Sequence, residues 1–120
     1  MRQAGIIAAG ARYALEHNRE RLAEDHANAR VVAEIVAVAD GAIVEPSSVE
    51  TNIVNIGLKR ACAAAVVNEA RENGVLVGAT GTQTLRAVTH LDISVDDARL
   101  GAELIARAIE RVTRSSLEPA

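Results

Sequence analysis

One arginine in the middle of a predicted strand could do chemistry in this chain. Residues 84–90, Thr-Leu-Arg-Ala-Val-Thr-His, predict a strand in which Arg86, Val88 and His90 share one face, because strand side chains alternate. Arg86 and His90 are about 13 Å apart at the rise of a strand, so they form no direct pair. A guanidinium in mid-strand needs water or an anion, and its planar fork fits a carboxylate. From the residues alone, a solvent-exposed Arg86 and a carboxylate-binding Arg86 both stay open.

The three histidines do not have the spacing of a metal site. His17, His26 and His90 are far apart in the sequence, and no Cys-x-x-Cys is present. Metal centres built from such ligands usually keep them at short, regular spacings. His26 lies beside two acidic residues on a predicted helix and is a candidate hydrogen-bonded interface residue. We therefore predict neither a metal ligand nor a catalytic residue in this chain.

The remaining chemical residue types favour structural roles. Cys62 opens an alanine-rich helix and is predicted to be a small core residue. Asp96 and Asp97 lie at a predicted helix start, where negative charge is favourable to the helix dipole. The glycines of residues 78–82 precede a strand rather than a helix, so a phosphate-binding loop is not indicated.

Composition predicts a thin core that needs a partner. The chain has 120 residues, of which 24 are Ala, and Tyr13 is its only aromatic residue. A single domain of this size is marginal without large side chains to bury. The net charge of −3 does not favour nucleic acid, and no apolar run is long enough to span a membrane. Cys62 has no partner for an internal disulfide, so a reducing, cytoplasmic setting is expected.

The predicted elements run helix, helix and then β-β-α-β-β-α. A helix over residues 3–17 is apolar all round and is expected to be buried, and Asn18 is predicted to cap the next helix. Ser94 and Asp97 predict a capping box before the last helix. Helices are predicted over residues 3–17, 19–38, 60–72 and from 94 onward, strands over 42–44, 51–58, 75–79 and 84–90, and turns over 46–48 and 78–83.

These elements predict an α/β (α+β) fold in one domain, residues 1–120. A strand-helix-strand segment favours a parallel crossover, whereas the short turn before Thr84 favours an antiparallel hairpin. We expect a small mixed sheet with helices on one face over residues 40–114. A helical arm is expected over residues 1–39 and a frayed tail over 115–120.

Five segments in register resemble the C-terminal part of low-specificity L-threonine aldolases. Together they cover nearly the whole chain in the family's order, although each is weak alone. The segments are Met-Arg-Gln-Ala-Gly at 1–5, Leu-Ala-Glu-Asp-His-Ala-Asn-Ala at 22–29, Thr-Asn-Ile-Val at 51–54, Gly-Val-Leu-Val at 74–77 and Arg-Ala-Val-Thr-His-Leu-Asp-Ile-Ser at 86–94.

The resemblance implies a pyridoxal-phosphate lyase of the aspartate-aminotransferase fold. Such enzymes cleave L-threonine or allo-threonine to glycine and acetaldehyde through a cofactor aldimine, with the cofactor ring as electron sink. Arg86 matches the arginine that holds the substrate α-carboxylate. Arg2 lies in the motif near the active site, so a role in cofactor or subunit contact is a weaker implication. Independently of the resemblance, the apolar helix over residues 3–17 leads us to expect a homo-oligomer or another partner.

The chain departs from the family at the cofactor lysine. Lys59 is its only lysine, and the neighbouring residues do not match the family's lysine context, which lies upstream of residue 1. We therefore expect the C-terminal third of an aldolase, inactive alone, that arose as a truncated gene, a misassigned start or a separate fragment. Its partner is then a second copy or the missing N-terminal part. The alternative is a non-catalytic module that keeps the fold for oligomerisation or partner binding.

Overall fold

The computed structural model describes residues 2–115, so the tail predicted at 115–120 lies almost wholly outside the described residues. Four α-helices and four short strands alternate much as the sequence predicts. The α-helices are α1 (Ala4–His17), α2 (Leu22–Ala37), α3 (Ala63–Glu72) and α4 (Val95–Ser115). The strands are β1 (Ala42–Ile43), β2 (Ile53–Leu58), β3 (Gly78–Gly81) and β4 (Thr84–Val88), and short 3₁₀ turns cover Arg19–Arg21 and Pro46–Ser48.

The four strands form one sheet in the order β1-β2-β4-β3, and every neighbouring pair is antiparallel. The predicted fold class is confirmed, but the expected parallel neighbours do not form. β2 and β3 do run in the same direction, because each is antiparallel to β4, which lies between them. The β3–β4 hairpin therefore inserts its second strand next to β2, and the sheet becomes antiparallel throughout.

One face of the sheet is buried under helices. Val54, Ile56 and Leu58 point to this face from β2, as the alternation predicts, and Leu85 of β4 joins them. α2 contacts β2, α3 contacts β3 and β4, and α4 packs on both α2 and α3. Alanine is the most frequent residue of the core, and no described residue of it is aromatic. The predicted thin core of Val, Ile, Leu and Ala is confirmed.

The end of α3 explains why β3 begins later than predicted. Gly74 has a φ of +87°, and its N–H donates to the carbonyl oxygen of Arg71. The N–H of Val75 donates to the carbonyl oxygen of Ala70, which completes a Schellman cap. Because Val75 belongs to this cap, the strand predicted at 75–79 is observed at Gly78–Gly81. The predicted turn at 78–83 shrinks to two residues.

The two predicted helix caps have different outcomes. Asn18 makes no side-chain cap bond; a 3₁₀ turn follows it, and α2 begins only at Leu22. At the other end, the capping box is confirmed. The Ser94 hydroxyl accepts from the Asp97 N–H at 3.1 Å, and Oδ2 of Asp97 accepts from the Ser94 N–H at 3.2 Å. This reciprocal pair fixes the start of α4, whose inner face packs on α2 and α3.

Within the arm expected over residues 1–39, α1 and α2 behave differently. α2 packs in the helical layer, whereas α1 has no buried residue, so its expected burial does not occur within this chain. The described chain is correspondingly elongated, with extents of 59 × 32 × 23 Å. Across residues 2–115, no helix combines the length and apolar character that crossing a bilayer requires.

Candidate carboxylate-binding site

Arg86 lies in the middle of β4, one of the two inner strands of the sheet. Its side chain points to the face of the sheet opposite the helices, and it is exposed together with Val88, as the alternation predicts. His90 lies beyond the end of the strand. Within residues 2–115, the Arg86 guanidinium has no hydrogen bond or ion pair. A cation without a protein partner on a rigid central strand is available to an external anion.

The register places Asn55 of β2 directly opposite Arg86. The N–H of Leu58 donates to the carbonyl oxygen of Gln83. Leu58 and Gln83, which lie opposite each other, are therefore a hydrogen-bonded pair of the ladder. Hydrogen-bonded and non-hydrogen-bonded pairs alternate along an antiparallel ladder. The Asn55–Arg86 pair, three steps away, is therefore a non-hydrogen-bonded pair, the narrow type in which the side chains lie closer together. In a narrow pair the two Cβ atoms lie about 4.5–5.5 Å apart. The Asn55 amide is thus the side chain next to the guanidinium.

On its other side, Arg86 faces a glycine. Gly78 of β3 is the register partner of Arg86, and a Cβ built at Gly78 would come no closer than 3.9 Å to the Arg86 carbonyl oxygen. The ladder shifts register between Ala79 and Gly81, just after this pair. The guanidinium therefore has an amide on one side and open space on the other.

The backbone that follows β4 is fixed by side-chain hydrogen bonds. Thr89 is buried, and its hydroxyl donates to the carbonyl oxygen of Asp25 at 2.6 Å. Nδ2 of Asn52 donates to the Thr89 carbonyl oxygen at 2.7 Å, and Nδ2 of Asn28 donates to that of Ile93 at 3.0 Å. These bonds tie the end of β4 to β2 and to α2. They hold the strand that carries Arg86 in one place.

Apolar side chains share the helix-free face with Arg86. Ile53 and Val88 are register partners, and Ile43 lies opposite Gly57. Ile43 and Val88 are each at least half exposed. A cation and an amide among exposed aliphatic side chains are typical of a surface that another layer of protein covers.

Neither Lys59, the only lysine of the sequence, nor Arg2, which the resemblance places in cofactor or subunit contact, lies beside Arg86. Lys59 follows the end of β2, about 13 Å along the chain from Asn55, and its Nζ lies 3.0 Å from Oδ1 of Asp40. Arg2 is exposed before the first turn of α1, about 20 Å along that helix from His17. The described residues do not fit pyridoxal phosphate by themselves. We assign them no step of its chemistry.

The other candidate residues lie away from Arg86. His26 is half-buried on α2, and His90 is exposed, with Nδ1 3.9 Å from Oδ2 of Asp92. Cys62 is half-buried against the core, in agreement with its predicted role. No three His, Cys, Asp or Glu side chains cluster as metal ligands in the part of the chain that the structure describes.

A separate groove of about 500 Å³ lies between the end of β4, residues 73–76 and α4. Leu76 and Leu100 give it an apolar lining, and His90 and Asp97 are its ionisable residues. The Ser94 hydroxyl and then the Ser94 N–H hold the pKa of Asp97 below its ordinary value. Arg86 does not line this groove, so the candidate carboxylate site and the groove are distinct.

The sequence analysis names Arg86 as the candidate carboxylate ligand but does not name Asn55 or Gly78. Strand alternation places Asn55 on the open face of β2, yet its position opposite Arg86 depends on β4 pairing with β2. That pairing joins segments about 30 residues apart and is not written in either segment alone. A polar residue in an otherwise apolar strand is the sequence feature that could have drawn attention to Asn55.

Comparison with solved structures defines the class of domain. A chain of MppP soaked with the product 2-ketoarginine superposes with a TM-score of 0.62 at 14% identity, over 82% of this chain and 31% of that chain. The four-stranded sheet with helices on one face is therefore a fold that occurs within a larger protein.

Comparison with sequences identifies the family. The beta-eliminating lyase family matches residues 1–59. The chain is 38% identical to the low specificity L-threonine aldolase of Escherichia coli strain K12 over 94 residues. Those 94 residues cover 78% of this chain and 27% of that relative. It is 32% identical over 123 residues to the probable low-specificity L-threonine aldolase 2 of Arabidopsis thaliana, 96% of this chain and 32% of that relative. The chain is a threonine aldolase family domain, and it spans about a third or less of these relatives.

Proposed function

We propose that this domain supplies the carboxylate-binding part of a threonine-aldolase-type lyase that cleaves L-threonine or allo-threonine to glycine and acetaldehyde. The observation that carries the proposal is Arg86, an exposed guanidinium without a described protein partner at the centre of the sheet. Its neighbours leave one side open, and its position matches the carboxylate arginine of the resemblance. The two relatives named as threonine aldolases support the same substrate class.

Arg86 acts by binding and orientation. Its two parallel N–H donors hold both oxygens of an α-carboxylate, which fixes the rotation of the amino acid about its Cα. Fixing that rotation aligns the Cα–Cβ bond for cleavage and removes an entropic part of the barrier. When a second layer covers the apolar side chains around Arg86, the loss of water strengthens this charge-assisted contact.

The cofactor and the reactive lysine belong outside the described residues in this proposal. Pyridoxal phosphate, when bound to such a lyase, supplies the electron sink for carbon–carbon cleavage. Because the described residues do not assemble a site for it, the 120-residue chain is inactive by itself. It gains activity with a polypeptide that carries the cofactor lysine. The single Cys62, which has no disulfide partner in the sequence, supports a cytoplasmic setting.

A second candidate function is a non-catalytic module that uses the fold for oligomerisation or partner binding. The observation that favours it is α1, on which Ile6 is 75% exposed, Ile7 63% and Leu15 67%. An apolar helix with no buried residue gains stability by packing against another protein surface. A second copy of this chain or the upstream part of an aldolase would both cover it.

A chimera tests the proposed activity directly. Residues 1–120 are fused to the upstream part of the Escherichia coli low specificity L-threonine aldolase, in place of that enzyme's matching segment. The fusion should release acetaldehyde from L-threonine, whereas neither the upstream part nor this chain alone should do so. A folded fusion that binds cofactor but releases no acetaldehyde would contradict the lyase function and favour the non-catalytic module.

A further inference from the structure

The only side chain on the neighbouring strands that lies directly opposite Arg86 is that of Asn55. β3 offers a glycine at the corresponding place, Gly78, so the two sides of the guanidinium differ in chemistry. The Asn55 side chain is exposed on the same face, and it has no hydrogen-bond partner among residues 2–115. An amide and a guanidinium, neither of which has a hydrogen-bond partner among residues 2–115, therefore lie next to each other.

We propose that Asn55 is a second substrate-binding residue, which forms a two-part carboxylate clamp with Arg86. The clamp rests on the proposed function and adds a second residue to it. A carboxylate has about four lone-pair sites, and a bidentate guanidinium leaves the outer ones free. The Asn55 side chain carries two N–H donors at the distance of a narrow cross-strand pair, so one N–H can reach the nearer carboxylate oxygen.

The geometry also assigns the direction from which the substrate enters. Asn55 closes the β2 side of the guanidinium, whereas Gly78 leaves the β3 side without a side chain. The rest of an amino acid held by its carboxylate therefore extends over Gly78. A neutral amide suits this place better than an acid, because a carboxylate at position 55 would pair with Arg86 and compete with the ligand.

The clamp is tested by NMR on the ¹⁵N-labelled 120-residue chain, with N-acetylglycine as the carboxylate probe and N-acetylglycinamide as the uncharged control. The Nε–H of Arg86 and the side-chain amide of Asn55 should shift along one binding curve with the carboxylate and not with its amide. Asn55→Ala should weaken the apparent affinity about three- to tenfold, the loss of one hydrogen bond to a charged group at an exposed site. Asn55→Gln, which keeps the amide, should retain most of the affinity.

Matched variants separate the clamp from general effects. Asn68→Ala removes an exposed amide from α3 and should leave the affinity unchanged, and Asn55→Asp should abolish the Arg86 shift. If Arg86 shifts but the Asn55 amide does not, or if Asn55→Ala binds as the parent does, the clamp is wrong while the role of Arg86 stands. If neither signal shifts, both the clamp and the carboxylate role of Arg86 are wrong.

Discussion

Nζ of Lys59 lies 3.0 Å from Oδ1 of Asp40, so the only lysine of the chain is held in an ion pair between the start of β1 and the end of β2. The hydrogen bond from Lys59 is the main reason that the pKa of Asp40 lies below its ordinary value. A lysine that forms a Schiff base must instead be neutral and free to attack a carbonyl carbon. In this chain the Lys59 ammonium is instead engaged by the Asp40 carboxylate.

The 120-residue chain mixed with pyridoxal phosphate should therefore show no stoichiometric near-visible absorbance band that depends on Lys59. The measurement compares absorbance spectra of the parent and Lys59→Ala at equal protein and cofactor concentrations. Asp40→Asn, which frees the lysine without removing it, is the matched control. A stoichiometric band that Lys59→Ala abolishes would make Lys59 the cofactor site.

Arg86→Ala in the fused lyase should lower the turnover efficiency for L-threonine by about 30- to 1000-fold, or roughly 2–4 kcal/mol, because a charged contact to the substrate is lost. Arg86→Lys keeps the charge but loses the planar fork and should recover only part of the activity. Cofactor absorbance should stay unchanged in both variants. Arg99→Ala, which removes an exposed arginine from α4, is the control. Cleavage by Arg86→Ala at the parent's rate would mean that Arg86 is only a surface residue.

The isolated chain should self-associate at micromolar concentration through α1, because burial of its apolar side chains stabilises the complex. Light scattering gives the mass of the parent and of Ile7→Glu, in which a buried charge would oppose association. Val38→Glu places the same charge on an exposed apolar residue outside α1 and should keep the parent's mass. If the parent is monomeric, self-association is refuted. An upstream segment of the polypeptide would then be the surface expected to cover α1.

Gly41→Ala should destabilise the domain more than Gly74→Ala. Both glycines have positive φ, +100° and +87°, which costs an alanine about 1 kcal/mol or more. Only at Gly41 would the added Cβ also meet other atoms, with Oγ1 of Thr113 at 2.5 Å, whereas nothing lies within 4 Å at Gly74. Urea denaturation should give losses of more than about 2 kcal/mol and about 1 kcal/mol respectively. Equal losses would mean that α4 moves freely away from Gly41.

Acid should weaken the start of α4. The pKa of Asp97 lies below 3.8 because Ser94 stabilises the charged carboxylate, so this contribution is fully present above the unfolded pKa. It is lost as the pH falls through the folded pKa. Ser94→Ala should therefore lower Tm clearly at neutral pH and less at an acid pH below the folded pKa of Asp97, where the carboxyl is protonated in both proteins. The same difference in Tm at both pH values would show that only the Ser94 hydroxyl, and not the carboxylate, matters.

The sequence predicts local structure here better than it predicts pairing. The alternation of Val54, Ile56 and Leu58 and the capping box at Ser94 are local patterns, and both are confirmed. The start of β3 was wrong because Val75 is used by a helix cap, which competes with strand formation for the same residues. The place of β4 between β2 and β3 depends on contacts between distant segments, so Asn55 could not be placed beside Arg86 from the sequence.

The central place of β4 has a consequence for motion. Both backbone edges of this strand are hydrogen-bonded, and its buried Leu85 is anchored in the core, so opening it requires the loss of two ladders at once. Amide protons of β4 should therefore exchange with deuterium only in large openings of the domain, whereas those of α1, which no tertiary packing protects, should exchange through local fraying. The exposed side chain of Arg86 thus stands on a backbone that opens only in large openings of the domain.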